Sequence, residues 1–176
     1  TRKESSAASD VYKRQGLGCA GALLQGIFAN PLAEPSIIGV SSGGAVFASG
    51  LLAIASLAGV ERSYGFLKWG TALAAFIGAL LTTLLVYSLS RVQGKTVVVN
   101  LILVGVAINA MAGGFVTLFS FIGGTMAQSQ VVFWQLGSLA GAGWSSAVIT
   151  LIITVIGIVI ACLCAPKMDL LALGEN

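Results

Sequence analysis

Four long apolar stretches constrain the fold of this chain more than any other feature of its sequence. They cover residues 37–58, 69–89, 97–122 and 144–165, and none contains Asp, Glu, Lys, Arg or His. A transmembrane helix needs about 20 mostly apolar residues, so each stretch is long enough to cross a bilayer. Only helices and closed barrels satisfy the backbone in lipid, and these stretches lack the alternating pattern of barrel strands. The sequence therefore predicts an all-α, polytopic transmembrane helix bundle.

The overall composition excludes a water-soluble domain. Hydrophobic residues make up 57% of the 176 residues and charged residues only 9%, whereas soluble domains carry about 25% charged residues. With so few charges the chain cannot cover a surface that faces water, and we expect membrane lipid around it. The net charge of +3 is small, so we expect no nucleic-acid partner.

The first 15 residues differ from the rest of the chain. Their sequence, TRKESSAASDVYKRQ, is polar, does not begin with Met and ends abruptly at an apolar run. No signal-peptide cleavage site follows them. We interpret residues 1–15 as a non-native or disordered leader and residues 16–176 as a partial transmembrane domain. The apolar run at residues 16–29 is short, so we interpret it as the end of a further span whose beginning is missing, which gives about five helices.

Short polar connections separate the spans at residues 30–36, 59–68 and 90–96. A longer uncharged connection, residues 123–143, contains the short apolar segment 131–136, which predicts a re-entrant or interfacial helix. Positive charges favour the cytoplasmic side of a membrane. Three basic residues fall on one side of the bundle and two on the other, which favours the first side as cytoplasmic. The two sets are Arg91, Lys95 and Lys167 against Arg62 and Lys68.

Small residues recur at four-residue spacing in several spans, which places them on one helix face. One interpretation is close helix packing, because small residues let two backbones approach. The other is a face that lines the path of a bulky solute. It applies best to the row Gly105, Asn109 and Gly113, since polar groups at membrane depth tend to face the interior or a cavity. A structural hydrogen bond to a neighbouring helix is the alternative role for Asn109.

The spans contain no Asp, Glu, Lys or Arg, and the chain contains no histidine. Proton-coupled carriers need an intramembrane Asp, Glu or His, so we expect energy to come from elsewhere, such as an ATPase subunit. The chain has no glycine-rich phosphate loop with its lysine, and it is therefore not itself expected to be an ATPase or another enzyme.

Segment 21–48 contains Gln25, the run Asn30-Pro31-Leu32-Ala33, Pro35 and Gly39. With this pattern it resembles the ABC importer permeases for iron-siderophores, haem and cobalamin. Three later segments resemble the same family in the family's order: 103–109 its path-lining helix, 133–139 its Trp-x-x-Gly-Ser-Leu segment, and 171–175 the start of its cytoplasmic coupling loop. In segment 21–48, two prolines separate one helix from the next. The residues that carry the likeness there are Gln25, Asn30, Pro31, Leu32, Ala33, Pro35 and Gly39, followed by Ser41, Ser42 and Gly43.

The resemblance implies a permease subunit of about ten helices in the bacterial or archaeal cytoplasmic (inner) membrane. It implies a second permease copy, identical or paralogous, two ABC ATPase subunits that use ATP, and an extracytoplasmic substrate-binding protein. No cofactor or metal is expected on the chain itself. The chain would begin in the family's second helix and stop in the coupling loop, with residues 30–36, 90–96 and 166–176 in the cytoplasm. The residues assigned to ATPase coupling are Leu171, Ala172, Leu173, Gly174 and Glu175.

Other functions stay open at this point. A fragment of a secondary transporter or channel would show an internal repeat and an ion-coupling residue, and neither is found. A membrane enzyme or a purely structural membrane module would leave the ordered motifs unexplained. The substrate is also open, and we favour an iron-siderophore because it is the broadest class.

Overall fold

The computed structural model describes residues 2–28, 30–31, 33–60, 64–92, 95–137 and 143–172. Within these residues the secondary structure is almost entirely helical, which confirms the all-α prediction. The elements are α1 (Arg2–Phe28), a 3₁₀ turn (Pro35–Ile38), α2 (Val40–Leu57), α3 (Tyr64–Leu89), β1 (Arg91–Val92), β2 (Lys95–Thr96), α4 (Val98–Ile122), α5 (Gly124–Leu136) and α6 (Trp144–Ala172).

Four helices in the described part of the chain are long and apolar enough to cross a membrane. They are Val40–Leu57, Trp69–Leu89, Val98–Ile122 and Trp144–Pro166, close to the four spans expected from the sequence. Large apolar side chains on α3 and α6 are exposed, for example Phe76 at 63% and Leu163 at 73%. In a bilayer such surfaces face lipid, so their exposure is what a membrane-embedded bundle requires.

Helix α6 continues further than its sequence predicted. We placed the last span at residues 144–165 because that stretch is apolar and uncharged. In the structure Pro166 lies inside α6, which runs on to Ala172. The predicted span is therefore confirmed within one residue, and six residues beyond Pro166 extend the helix.

The N-terminal half of α1 also differs from expectation. Residues 2–15, predicted to be a non-native or disordered leader, are helical and continuous with residues 16–28. Nothing in this segment breaks a helix, and the Arg14 side chain donates to the Asp10 carboxylate at 2.8 Å, one turn away. Whether the leader is native stays a prediction.

Two connections contain regular structure. Between α3 and α4 the chain forms a small antiparallel hairpin, in which Arg91 pairs with Thr96 and Val92 with Lys95. The predicted short helix at residues 131–136 exists but begins earlier, so that α5 has 13 residues. At 1.5 Å per residue it is about 20 Å long, too short to cross a bilayer core of about 30 Å.

The chain divides into two compact units. In one, α1 packs against α6, and Gly16 lies beside Thr154. The other, Pro35–Gly137, contains the 3₁₀ turn, helices α2 to α5 and the hairpin. In this second unit α2 is the inner helix, since 44% of its span is buried, against 11% for α3 and 17% for α4.

Helices α2 and α3 meet backbone to backbone. A Cβ atom built on Gly43 would lie 2.5 Å from the Gly78 carbonyl oxygen, and one built on Gly78 would lie 2.5 Å from the Gly43 carbonyl oxygen. No side chain fits between these two residues. The packing interpretation of the small-residue rows is therefore confirmed for Gly43 and Gly78.

The ends of α2 are set by two glycines with left-handed backbone. Gly39 precedes the helix with a φ of 79°, and Gly59 follows it with a φ of 66°. At the C-terminal end the Val60 N–H bonds the Ala55 carbonyl at 3.0 Å and the Gly59 N–H bonds the Ser56 carbonyl at 3.1 Å. This pair of bonds is the Schellman motif, which satisfies the last carbonyls of the helix.

Candidate functional site

An open cleft of about 670 Å³ lies in the second unit, between α2, α4 and α5. Each helix contributes polar side chains to it. A second cavity, of about 320 Å³, lies near α2, α3 and α4 and is lined almost entirely by apolar groups such as Phe47 and Phe119. The residues that line the polar cleft are Ser41, Ser42 and Ala45 on α2, Asn109, Ala112, Gly113, Val116 and Thr117 on α4, and Trp134 and Gln135 on α5.

The chemistry of the cleft is neutral and suited to hydrogen bonding. None of its ten described lining residues is ionisable. Hydroxyl, amide and indole groups supply donors and acceptors, whereas the alanines, Gly113 and Val116 leave apolar surface between them. Such a surface can contact a large solute through scattered hydrogen bonds without holding it by a fixed charge.

Asn109 connects the cleft to the 3₁₀ turn. Its Nδ2 atom donates to the Ser36 carbonyl oxygen at 3.0 Å. Its Oδ1 atom is buried and accepts no hydrogen bond from the residues that the structure describes. The structural hydrogen bond considered from the sequence is therefore present. The side chain also lines the cleft, and its place on a solute path stays a prediction.

The three candidate path residues do not share one environment. Gly105 is buried under the turn, and a Cβ atom built on it would collide with the Ile37 carbonyl oxygen. Gly113 lies one turn beyond Asn109 and faces open space, with no neighbour within 4 Å of a built Cβ atom. Within the row, Asn109 and Gly113 line the cleft and Gly105 lies outside its lining.

The family-motif residues follow one another along the chain from the end of α1 to the start of α2. Gln25 lies in α1, and its carbonyl accepts the Asn30 N–H at 3.1 Å just after the helix ends. Ala33 is buried. Pro35 opens the 3₁₀ turn, Gly39 follows that turn, Pro31 lies in the preceding connection, and Leu32 lies outside the described residues.

The residues assigned to ATPase coupling lie at the end of the chain. Leu171 and Ala172 are the last two residues of α6. Leu173, Gly174 and Glu175 lie outside the described residues, so their role stays a prediction. The described residues also contain no group of three or more His, Cys, Asp or Glu side chains that could hold a metal ion.

Four polar cleft residues were not assigned to the path from the sequence. Ser41 and Ser42 were noted only as part of the motif, and Trp134 and Gln135 only as part of the later Trp-x-x-Gly-Ser-Leu segment. The signal that could have found them is hydrogen-bonding capacity: each carries a hydroxyl, amide or indole N–H inside a stretch that is otherwise apolar. Polar groups at such places tend to line a cavity.

The apolar helices and the open polar cleft between three of them define a class, a multi-pass helical membrane protein with a polar surface between its helices. Residues 15–176 match the sequence profile of the FecCD transport family. The chain therefore belongs to the FecCD transport family.

Individual relatives agree with this assignment. The cobalamin import system permease protein of Halobacterium salinarum is 35% identical over 160 residues, which is 91% of this chain and 41% of that protein. The hemin transport system permease protein of Yersinia pestis is 32% identical over 165 residues, covering 91% and 48% of the two chains. These relatives are named as permeases, which are transport components and not enzymes.

A solved structure gives the same result for the fold. An inward-facing metal-chelate type ABC transporter superposes with a TM-score of 0.78 at 27% identity. The match covers 97% of this chain and 52% of that structure's chain. The chain spans about half the length of the relatives it matches.

Proposed function

We propose that this chain forms part of the permease subunit of an ATP-driven importer for metal chelates. The observation that carries the proposal is the convergence of three motif segments on one cleft. Ser41 and Ser42, Asn109 and Gly113, and Trp134 and Gln135 are far apart in sequence and line the same polar surface. A path for a bulky, hydrogen-bonding solute needs such a surface.

The absence of charge in the cleft lining favours an energy source outside these helices. No ionisable side chain is present among the ten described lining residues to carry a coupling proton. An ATPase subunit in the cytoplasm would supply the energy, and ATP would be used there. We further propose a second permease copy, identical or paralogous, an extracytoplasmic binding protein and location in a bacterial or archaeal inner membrane.

We propose a metal chelate as the class of substrate. Named relatives carry cobalamin and hemin, and the similar solved structure is of the metal-chelate type. We extend the proposed class to iron-siderophores and place them first. We assign ATPase coupling to Leu171, Ala172, Leu173, Gly174 and Glu175 on the family resemblance.

Uptake by cells that carry or lack the gene containing this chain tests the proposal. Labelled cobalamin, hemin and a ferric siderophore would each be supplied to both strains. We expect the deletion to abolish uptake of one chelate, and plasmid copies of the gene to restore it only while an ATPase subunit with an intact phosphate loop is present. Equal uptake of all three chelates by both strains would contradict the proposal, as would uptake that survives loss of ATP hydrolysis.

A further inference from the structure

The 3₁₀ turn Pro35–Ile38 is held on α4 at two points. The Ser36 carbonyl oxygen accepts the Asn109 Nδ2 donor at 3.0 Å and also the Gly39 N–H at 3.2 Å. One turn earlier on α4, Gly105 leaves the space that the Ile37 carbonyl oxygen occupies. Two consecutive carbonyls of the turn are thus held by two α4 residues four positions apart, which lie on one helix face.

The other end of the turn is fixed on α3. Gly39 has a left-handed backbone, with a φ of 79°, and a Cβ atom built on it would lie 2.9 Å from Thr82 Cγ2. Immediately after Gly39, α2 joins α3 through the Gly43–Gly78 contact. The turn therefore ties the closely joined α2–α3 pair to α4.

The tie lies at the edge of the polar cleft. Asn109 bonds the turn and lines the cleft, and Ser41 and Ser42 begin the opposite wall only two residues after Gly39. Any separation of the turn from α4 would move these serines relative to Asn109 and Gly113. At this end of the cleft, the turn is thus held on α4 by one side-chain hydrogen bond and by the space that one glycine leaves.

We propose that the Pro35–Ile38 turn is a latch between the α2–α3 pair and α4, with Gly105 and Asn109 as its positioning residues, and that its release widens the cleft. This inference rests on the proposed function, which gives the cleft its role. Gly105 acts by its lack of a side chain, and Asn109 acts by its amide donor. Because the Gly39 N–H also bonds the Ser36 carbonyl, release leaves that carbonyl with a partner and does not require the turn to unfold.

The reaction rate of a cysteine in the cleft wall tests the latch. Ser41→Cys would be introduced into the chain with Cys19, Cys162 and Cys164 replaced by Ala, and the protein would be reconstituted in lipid nanodiscs. The measurement is the initial rate of labelling by a charged maleimide. Gly105→Ala forces a Cβ atom against the Ile37 carbonyl, and Asn109→Leu removes the donor while keeping a branched side chain of similar size.

Matched controls are available on the same helix. Gly114→Ala adds the same methyl group to α4 in open space, outside the cleft. Ser120→Ala removes a hydroxyl that bonds only the carbonyl of Val116 in its own helix among the bonds described. We expect Asn109→Leu to raise the labelling rate by about threefold or more, the factor that an average intramembrane hydrogen bond contributes. We expect Gly105→Ala to raise it further, and both controls to leave it unchanged.

Equal labelling rates for Asn109→Leu and Ser120→Ala would overturn the latch, whatever the behaviour of Gly105→Ala. Circular dichroism of each variant identifies any loss of helix, and if Gly105→Ala fails to reconstitute, Asn109→Leu decides the question alone. The labelling rate does not depend on uptake. If the variants label as expected in nanodiscs but the gene supports no chelate uptake in cells, the latch stands and the proposed function fails. If uptake is as expected but the labelling rates do not differ, the proposed function stands and the latch fails.

Discussion

The two sides of α2 are built in opposite ways. On the side that faces α3, the Gly43 and Gly78 backbones are in direct contact, with no room for a methyl group. On the side that faces α4 and α5, Ser41 and Ser42 border an open polar cleft. Glycines occur on both sides, with different consequences. Gly43 lets α2 and α3 approach closely, whereas Gly113 leaves the cleft open because it carries no side chain.

The difference teaches how one unit can be both firm and open. A lipid-embedded bundle gains little from the hydrophobic effect between helices, so close backbone packing must supply much of its stability. The α2–α3 contact does this through two glycine backbones, with Thr82 as the neighbouring side chain. The α2–α4–α5 side gives up packing for a cleft, and relies on a few hydrogen bonds such as Asn109 to Ser36 to hold its walls.

The largest effect on this comparison is expected from Gly43→Ala. The added Cβ atom would lie 2.5 Å from the Gly78 carbonyl oxygen and close to Thr82, so the two helices must separate. We expect the free energy of unfolding in mild detergent to fall by about 1–3 kcal/mol, the usual cost of overpacking. Gly114→Ala adds a methyl group in open space and is expected to change it by less than about 0.5 kcal/mol. Equal stability of the two variants would show that α2 and α3 are not in close contact.

The sequence predicted the helices and their close packing better than it predicted the cleft. The spans at 40–57, 69–89 and 98–122 were expected within three residues, because the length of an apolar stretch directly limits a transmembrane helix. The span at 144–165 was expected within one residue for the same reason, but the length of an apolar stretch does not show that α6 continues to Ala172. Small residues four apart indicated close packing for the faces that contain Gly43 and Gly78, and the structure shows that these two faces meet.

The cleft could be predicted only in part. Asn109 was found because an amide inside an apolar span is unusual, but its hydrogen bond to Ser36 is a contact between residues 73 positions apart. Gly105 and Gly113 have identical spacing from Asn109 and opposite surroundings. Periodicity assigns both to one face of α4, and only the tertiary structure distinguishes the one beneath the turn from the one beside the cleft.

An intermediate effect, on transport and not on stability, is expected from Gly113→Trp. The tryptophan side chain would project into the cleft, where no atom lies within 4 Å of a Cβ atom built on Gly113. We therefore expect the variant to fold. We expect chelate uptake by the complete permease to fall roughly tenfold, which corresponds to about 1.4 kcal/mol of added barrier. Uptake would be normalised to the amount of protein in the membrane.

Gly114→Trp is the matched control for that variant. Gly114 also has no neighbour within 4 Å of a built Cβ atom, and it lies outside the cleft lining. We expect its uptake to equal that of the unmodified permease. If the two tryptophan variants transport equally well, the cleft is not the route of the solute, and the contrast between the two sides of α2 loses its functional meaning.

The smallest effect is expected from Ser56→Ala, in the last turn of α2. The Ser56 hydroxyl donates to the Gly123 carbonyl at 2.8 Å, at the corner where α4 ends and α5 begins. Hydrogen bonds between membrane helices contribute about 0.6 kcal/mol on average, and we expect the free energy of unfolding to fall by about that amount. Ser88→Ala serves as the control, because the Ser88 hydroxyl donates to Leu85 within its own helix and its loss should be close to neutral. If Ser56→Ala lowers the free energy of unfolding no more than Ser88→Ala does, the corner is held by the close packing of Gly123 against Ala53. Close packing would then hold this corner as it holds α2 to α3, and hydrogen bonding would hold only the Pro35–Ile38 turn.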